Sequence, residues 1–575
     1  MEQSIAEAFK SKQPKKILLI FLGLVFLLNL LQAYLTGLHP DEAYYWIYSK
    51  FLDWGYFDHP PMVAIFIKLG DSLFQNTLGL RLLTVISHIG SLFLLWLIVK
   101  KYTSNIKLFI LGVTSILIFH VYAFITTPDV PLMFFSVLFL YTYQIYLKED
   151  KLKWALLLGL ISAALLMSKY HGVLLIFFIL ISNLQLFKRK SFYATLVFAI
   201  VLCLPHLYWQ YLNGYPSFYY HLIDRSATPY RFSYTSQYFL DQLLMMGPLV
   251  GWLFFYYGYQ LKTVEDQFLN GLKFVFYGVF IFFFLSTFKG RVQAQWPLIE
   301  YIALFILAYI YAGKNLEHFS KFKWLFGINI ILILLARFIL MGAIPFANKI
   351  KFVASFQNYD VWAKEIAAIA GDHPVIFKDG FQAPSYYNYY TQSLKAIAYN
   401  SINYRQTQYD LWPLEDSIQH KKVLLVTPED GYSKTGINLQ TAKGVYNLQW
   451  LDGVRFYPKI NFNPLHFPKD WKVNEERLIT FEVKNPYAQS VNFSDQNEKW
   501  TCSFQYGFME EGKIFKLTPF ESELKQAILK AGETKKIQIN IKSPSKPGDY
   551  KLFLSIKTQP FAGTRNSKMI SVKVK

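Results

Sequence analysis

From Lys16 to about residue 345 the chain is a succession of long apolar runs joined by short polar loops. A helix needs about 20 predominantly apolar residues to cross a bilayer. Runs at 16–35, 78–99, 106–125, 130–147, 154–168, 171–187, 192–212, 240–260, 270–288, 297–313 and 323–344 reach or approach that length. They predict a polytopic α-helical membrane protein with about eleven transmembrane helices. The first run reads as a retained helix, because no small-residue cleavage site follows it. Ser168-Lys169-Tyr170-His171-Gly172 reads as a turn between two short helices, not as a kink in one.

Charge sets the orientation. Charged residues are only 17% of the chain, against about 25% in a typical soluble domain. The formal net charge is nevertheless +20. Lys10, Lys12, Lys15 and Lys16 precede the first run, and alternate loops hold Lys100/Lys101/Lys107, Lys148/Lys151/Lys153, Lys188/Arg189/Lys190, Lys262/Lys273 and Lys314/Lys321/Lys323. Cations concentrate in cytoplasmic loops. This phase places the N-terminus in the cytoplasm and the C-terminal region outside, in the periplasm of a bacterial inner membrane. Much of the basicity is therefore topological, and a nucleic-acid partner loses its support. Two cysteines, Cys203 and Cys502, exclude a disulfide framework and a cysteine zinc cluster.

Composition changes near residue 348. Val375-Ile376-Phe377 and Val423-Leu424-Leu425-Val426 read as short buried strands among helical stretches at 361–371 and 382–390. They predict an extracytoplasmic α/β unit over 348–458. From 459 to 575 alternating segments such as Arg477–Val483, Lys536–Lys542, Tyr550–Ile556 and Met569–Val574 predict an immunoglobulin-like β-sandwich. The transmembrane part is then 1–347.

Polar residues near a bilayer are costly and usually functional. Here they gather in the loops on the outer face. The first loop contains His39-Pro40-Asp41-Glu42 and then Phe57-Asp58-His59-Pro60-Pro61, among aromatics that suit a helix lying in the interface. Asp41 and Glu42 also suit a helix start, where acids are favoured. The second loop carries Pro128-Asp129, the third Lys169 and His171, the fourth Asp224, Arg225 and Arg231. The fifth is Lys289-Gly290-Arg291-Val292-Gln293-Ala294-Gln295-Trp296-Pro297. Its two cations run against the inside-positive trend and suit a held anion, since Arg and Lys both grip phosphate. A carboxylate can take a proton from an acceptor hydroxyl. Cations can stabilise a departing phosphate.

With these residues in place, residues 15–345 resemble the GT-C glycosyltransferases, specifically the bacterial branch related to protein O-mannosyltransferases and to the lipid A aminoarabinose transferase. The resemblance rests on Asp41-Glu42 after the first span, Phe57-Asp58-His59-Pro60-Pro61, the Pro128-Asp129 turn and the Lys289–Trp296 segment, in that order on one face. It implies an inverting enzyme that takes a sugar from a polyprenyl-phosphate donor and passes it to a lipid, glycan or protein acceptor. It implies Asp41 as general base, with Glu42 beside it, and Asp58 as a second acid. His59 stands where the aminoarabinose transferase pattern has a Lys near the donor phosphate, which leaves a weaker, pH-dependent charge. It implies Asp129 as a supporting acid and Lys289 with Arg291 as the phosphate grip. Lys169, Arg225, His171 and Gln295 join these by loop position alone.

No cofactor is required by this reading. A divalent metal stays open: Asp41, Glu42, Asp58, His59 and His171 could build a nitrogen–oxygen site, but no His-x-x-x-His or Cys pattern demands one. A glycan polymerase or ligase, a lipid or sugar transporter and a non-catalytic receptor are the competing readings. Transporters commonly show internal repeats and intramembrane charge, and neither is visible in this sequence.

Overall fold

The computed structural model describes residues 2–224, 229–344, 349–428, 436–510 and 512–575. The chain divides into two compact units, Met1–Gln357 and Asn358–Lys575.

The first unit is helical. Its elements are α1 (Glu2–Leu35), α2 (Pro40–Lys50), α3 (Met62–Asp71), α4 (Thr77–Val99), α5 (Ile106–Val113), α6 (Leu117–Val121), α7 (Asp129–Lys148), α8 (Leu152–Ser168), α9 (Gly172–Ser182), α10 (Lys190–Leu212), α11 (Pro216–Tyr219), α12 (Phe232–Met246), α13 (Gly251–Gln260), α14 (Gln267–Ser286), α15 (Leu298–Lys314) and α16 (Leu316–Leu340). Short polar side chains fix several starts. Asn76 accepts from the Gly79 N–H at 3.1 Å, Asn105 from Leu108 at 3.1 Å and Asp266 from Leu269 at 2.9 Å, each satisfying one of the free N–H groups of a first turn.

Every apolar run of the sequence is helical, but not every run is one helix. Among the described residues six helices are long and apolar enough to cross a membrane: Pro14–Leu35 within α1, and α4, α7, α10, α14 and α16. The pair α12 and α13 adds a seventh candidate, bent by 90° at its break. The bend falls at Gly247-Pro248. Gly247 takes φ +134°, where a side chain would strain, and the proline that follows removes a backbone donor. The run 106–125 is likewise interrupted between α5 and α6, and α8 and α9 are separate short apolar helices on either side of Lys169, as the turn at 168–172 requires.

The helix α15 runs through the middle of the unit. Leu298 to Ile310 are all buried, and a helix apolar on all sides is stable only when neighbours cover every face. The aromatic residues of α2 take a different setting from the one their pattern suggests. Tyr44, Tyr45, Trp46, Ile47 and Tyr48 are all buried in protein, so α2 does not lie with these rings in the interface plane. It packs against α3, with Trp46 Nε1 donating to Asp71 at 3.2 Å and Lys50 meeting the same carboxylate at 2.7 Å.

The second unit is β-rich. Strands β1 (Val375–Lys378), β2 (Ala396–Tyr399), β3 (Val423–Pro428), β4 (Ile437–Thr441) and β5 (Gly444–Leu451) form one sheet in the order β2-β1-β3-β5-β4. The first three are parallel, β5 and β4 antiparallel. Helices Tyr359–Ala370 and Gln382–Tyr390 accompany it. Beyond Leu451, the strands Glu476–Lys484 and Thr534–Lys542 pair in one sheet, and Cys502–Glu510, Gly548–Thr558 and Ile570–Val574 in another. Phe462, Phe481 and Ile539 meet Phe504, Leu554 and Val572 in a common core. The alternation read from the sequence is the alternation of buried and exposed residues along these strands.

Candidate active site

The loop after α1 turns into α2 by a cap that the sequence conceals. His39 is the N-cap: its Nδ1 accepts from the Asp41 N–H at 3.3 Å, and Pro40 supplies the first helical φ. Glu42 closes the capping box by accepting from the His39 N–H at 2.8 Å. Asp41 is thereby set on the first turn of α2, half-buried, with its carboxylate 3.8 Å from His39 Nδ1.

Glu42 has a different setting. It is fully buried and bound at two points by Arg81 on α4, at 2.8 Å from Nε and 2.6 Å from Nη2. The Thr126 N–H donates to it at 2.8 Å. The remaining Arg81 donors go to the carbonyls of Ala33, Thr36 and Gly37 at 2.6–3.0 Å. Each guanidinium nitrogen thus has a partner, which a buried arginine needs. This geometry makes Glu42 a brace between the Asp41 loop and the Thr126–Asp129 turn rather than a group free to exchange protons with a substrate. Arg81 lies in the second turn of an apolar helix, where the sequence reading passed over it.

The Thr126–Asp129 turn then presents Asp129 at the start of α7. Asp129 and Lys169, both buried, form an ion pair at 2.6 Å. Two residues singled out separately in the sequence, forty positions apart, are therefore partners. Asp58 is buried as well and accepts a short hydrogen bond from the Tyr48 hydroxyl. His221 Nε2 donates to the Asp58 carbonyl at 2.9 Å.

Tyr45 lies within the field of all three acids. It is fully buried, and Asp41, Asp58 and Asp129 all act on its phenol. Burial first, then those three charges, hold the phenol well above the usual range. It stays protonated and can donate a hydrogen bond to a carboxylate. His59 lies edge-on to Tyr45, ring centroids 5.6 Å apart.

Lys289 and Arg291 are exposed on the loop between α14 and α15. That loop reaches the third one through Trp296, whose ring lies 5.6 Å from His171. Gln295 donates to Gln293 at 3.0 Å and contacts no acid of the cluster among the described residues. Arg225 lies outside the described residues. Among the described residues no group of three or more His, Cys, Asp or Glu side chains is arranged to hold a metal ion.

An apolar cavity of about 370 Å³ runs between α7, α8, α9 and α10, lined by Phe139, Leu158, Val173, Cys203, His206 and Phe218. Tyr170 is also on its wall, next in sequence to Lys169, and feels the Asp58 charge. His206 donates from Nδ1 to the Trp54 carbonyl at 2.7 Å, which leaves Nε2 to accept from the Tyr170 hydroxyl at 3.1 Å. Trp209 Nε1 donates to Asp53 at 2.7 Å. These bonds fasten the 53–59 loop over one end of the cavity, so an apolar groove ends beside the acid cluster.

Solved structures share this architecture. ArnT from Cupriavidus metallidurans in the apo state superposes with a TM-score of 0.58 at 14% identity, covering 76% of this chain and 98% of that one. The same protein bound to undecaprenyl phosphate gives 0.56, at 14% identity over 75% and 97%. The chain shares the fold of these ArnT structures. Residues 58–209 match the family described as dolichyl-phosphate-mannose-protein mannosyltransferase. The lipid A galacturonosyltransferase RgtD of Rhizobium johnstonii is 26% identical over 314 residues. That alignment covers 51% of this chain and 65% of RgtD, a little under two thirds of the relative's length.

Proposed function

We propose that the protein is an inverting glycosyltransferase that moves a sugar from a polyprenyl-phosphate donor to an acceptor at the periplasmic face of a bacterial inner membrane. The observation that carries this reading is the apolar groove ending at Tyr170 and His206, beside a cluster of three acids and a buried lysine. A prenyl tail suits the groove, and its phosphate would then lie by Lys169. The names of RgtD and of undecaprenyl-phosphate-bound ArnT favour the same donor chemistry and a lipid acceptor.

The reaction is one displacement at the anomeric carbon. The acceptor oxygen forms its bond as the carbon–phosphate oxygen bond breaks, and the configuration inverts. Asp41, the most exposed acid of the cluster, takes the acceptor proton. Tyr45 and Asp58 orient that acid and the acceptor. Charge gathers on the leaving phosphate, where Lys169, Lys289 and Arg291 are the cations on offer. Glu42 and Arg81 position Asp41 without touching substrate.

The finer topology belongs to the same proposal: eleven crossings, a transmembrane part over 1–347, an α/β part over 348–458 and an immunoglobulin-like sandwich over 459–575. The one-sided distribution of loop lysines supports it, as do Lys101 bonded to Gln144 and Arg189 bonded to the carbonyls of Tyr146 and Leu147 at the far ends of α4, α7 and α10. The test is to give membranes carrying the protein a panel of radiolabelled polyprenyl-phosphate sugars. Label arriving in the lipid, glycan or protein fraction names the acceptor. No consumption of any donor across the panel would favour a transporter instead.

A further inference from the structure

The three parallel strands of the second unit begin at one edge of the sheet. Val375 of β1 pairs in register with Ala396 of β2 on one side, and with Leu424 of β3 on the other. The residues just before the strands are therefore neighbours, about 5 Å apart per strand. Those residues are Asp372-His373-Pro374, Lys395 and Lys421-Lys422, and with Ser417 they line a cavity of about 490 Å³. Pockets that hold small ligands fall in this range of volume.

The cavity is cationic by construction. Lys395 pairs with Asp372 at 2.8 Å and holds that carboxyl below the usual range. Among the described residues Lys421 and Lys422 have no carboxylate partner. Trp450 of β5, paired with Leu424, sets the geometry: Lys422 Nζ lies 4.9 Å from its ring and His373 stands edge-on at 5.1 Å. Four cationic or cationisable groups thus come from three loops to one concave surface, against a single acid. A cleft lined by one sign of charge concentrates the opposite ion, and lysine is a point-charge ligand for phosphate.

We propose that this cavity is a binding site for a phosphate-bearing ligand, a phosphomonoester or diphosphate carried free or on a lipid headgroup. It lies at the amino ends of β1, β2 and β3 and uses Lys395, Lys421, Lys422 and His373. Its lining residues all belong to the second unit, and the proposal does not depend on the transfer reaction.

The test titrates full-length protein in neutral detergent with inorganic pyrophosphate, and in a second arm with short-chain phosphatidic acid against phosphatidylcholine. Wild type is compared with Lys421→Ala/Lys422→Ala and with Lys513→Ala/Lys516→Ala, two exposed lysines on another strand. The expected result is at least tenfold weaker binding of a phosphate probe in the Lys421/Lys422 variant alone. Loss of pyrophosphate binding assigns a free anion, and loss of phosphatidic acid binding assigns a headgroup. Any phosphate bound at the helical unit persists in all three proteins. Equal binding by wild type and the Lys421/Lys422 variant, or equal loss in both variants, overturns the proposal.

Discussion

Glu42 and Arg81 form a fully buried two-point ion pair that ties the loop carrying Asp41 to the turn carrying Asp129. Adjacent acids in the sequence thereby take opposite tasks. One faces outward on the first turn of a capped helix, and the other is consumed in holding that turn in place.

Removing one member of a buried pair leaves the other charge uncompensated, at a cost of about 3–5 kcal/mol. Glu42→Gln is therefore expected to lower thermal stability in detergent sharply, and Asp41→Asn to leave it unchanged. Unfolding curves of the two variants, side by side, check this. Equal midpoints would remove Glu42 from its bracing role.

Asp129 and Lys169 are expected to be coupled. Lys169→Ala takes a cation from the leaving phosphate and also strands Asp129. Transfer rates for Lys169→Ala, Asp129→Asn and the double variant form a cycle. The double variant should be no slower than the slower single one. Strictly additive losses would mean that the pair does not act as a unit.

Tyr45→Phe removes one donor from among three acids. A hydrogen bond that this phenol donates to a charged group in the loaded site would contribute about 1.5–3 kcal/mol, so transfer should fall by roughly tenfold to a hundredfold with the fold intact. The Tyr45 phenol is held above its usual range. It therefore should not appear as an ionisation in the pH–rate profile of the wild type below about pH 10. A wild-type alkaline limb that Tyr45→Phe abolishes would contradict this.

Much of this site was legible before the structure. Long apolar runs announce helices by length and composition alone, and Asp41, Asp58, Asp129 and Lys169 stood out because charge near a bilayer is rare. What the sequence hides is partnership across distance. Nothing local says that Lys169 meets Asp129, or that Glu42 meets Arg81 thirty-nine residues on. Arg81 sits near the start of an apolar run, where nothing local marks it as a partner. Tyr45 sits in an aromatic stretch that suits an interface belt equally well, and only its burial against three acids separates the two roles. The breaks in the runs 106–125 and 240–260 turn on backbone geometry, and the Gly247-Pro248 pair was the local sign of the second.

The second unit should respond to pH through Glu415. Burial pushes this carboxyl up to about 7 despite Lys459 at 2.7 Å. Its folded pKa exceeds its unfolded one, so the unfolded chain binds fewer protons between them. The contribution to stability is full below about pH 4.5 and is lost as pH rises through 7. Asp410, pushed up to about 6, acts in the same direction. Thermal unfolding should show this unit weakening from pH 4.5 to 7.5, and Glu415→Gln should flatten the trend. A rise in stability over that window would contradict the assignment.

The most direct measurement is sugar transfer from a polyprenyl-phosphate donor by purified wild type and Asp41→Asn at matched folding. General-base catalysis contributes about 10²–10⁴-fold. The expected result is label moving from donor to acceptor in the wild type and a loss of that order in Asp41→Asn. Transfer at the wild-type rate by Asp41→Asn would contradict the account at its centre.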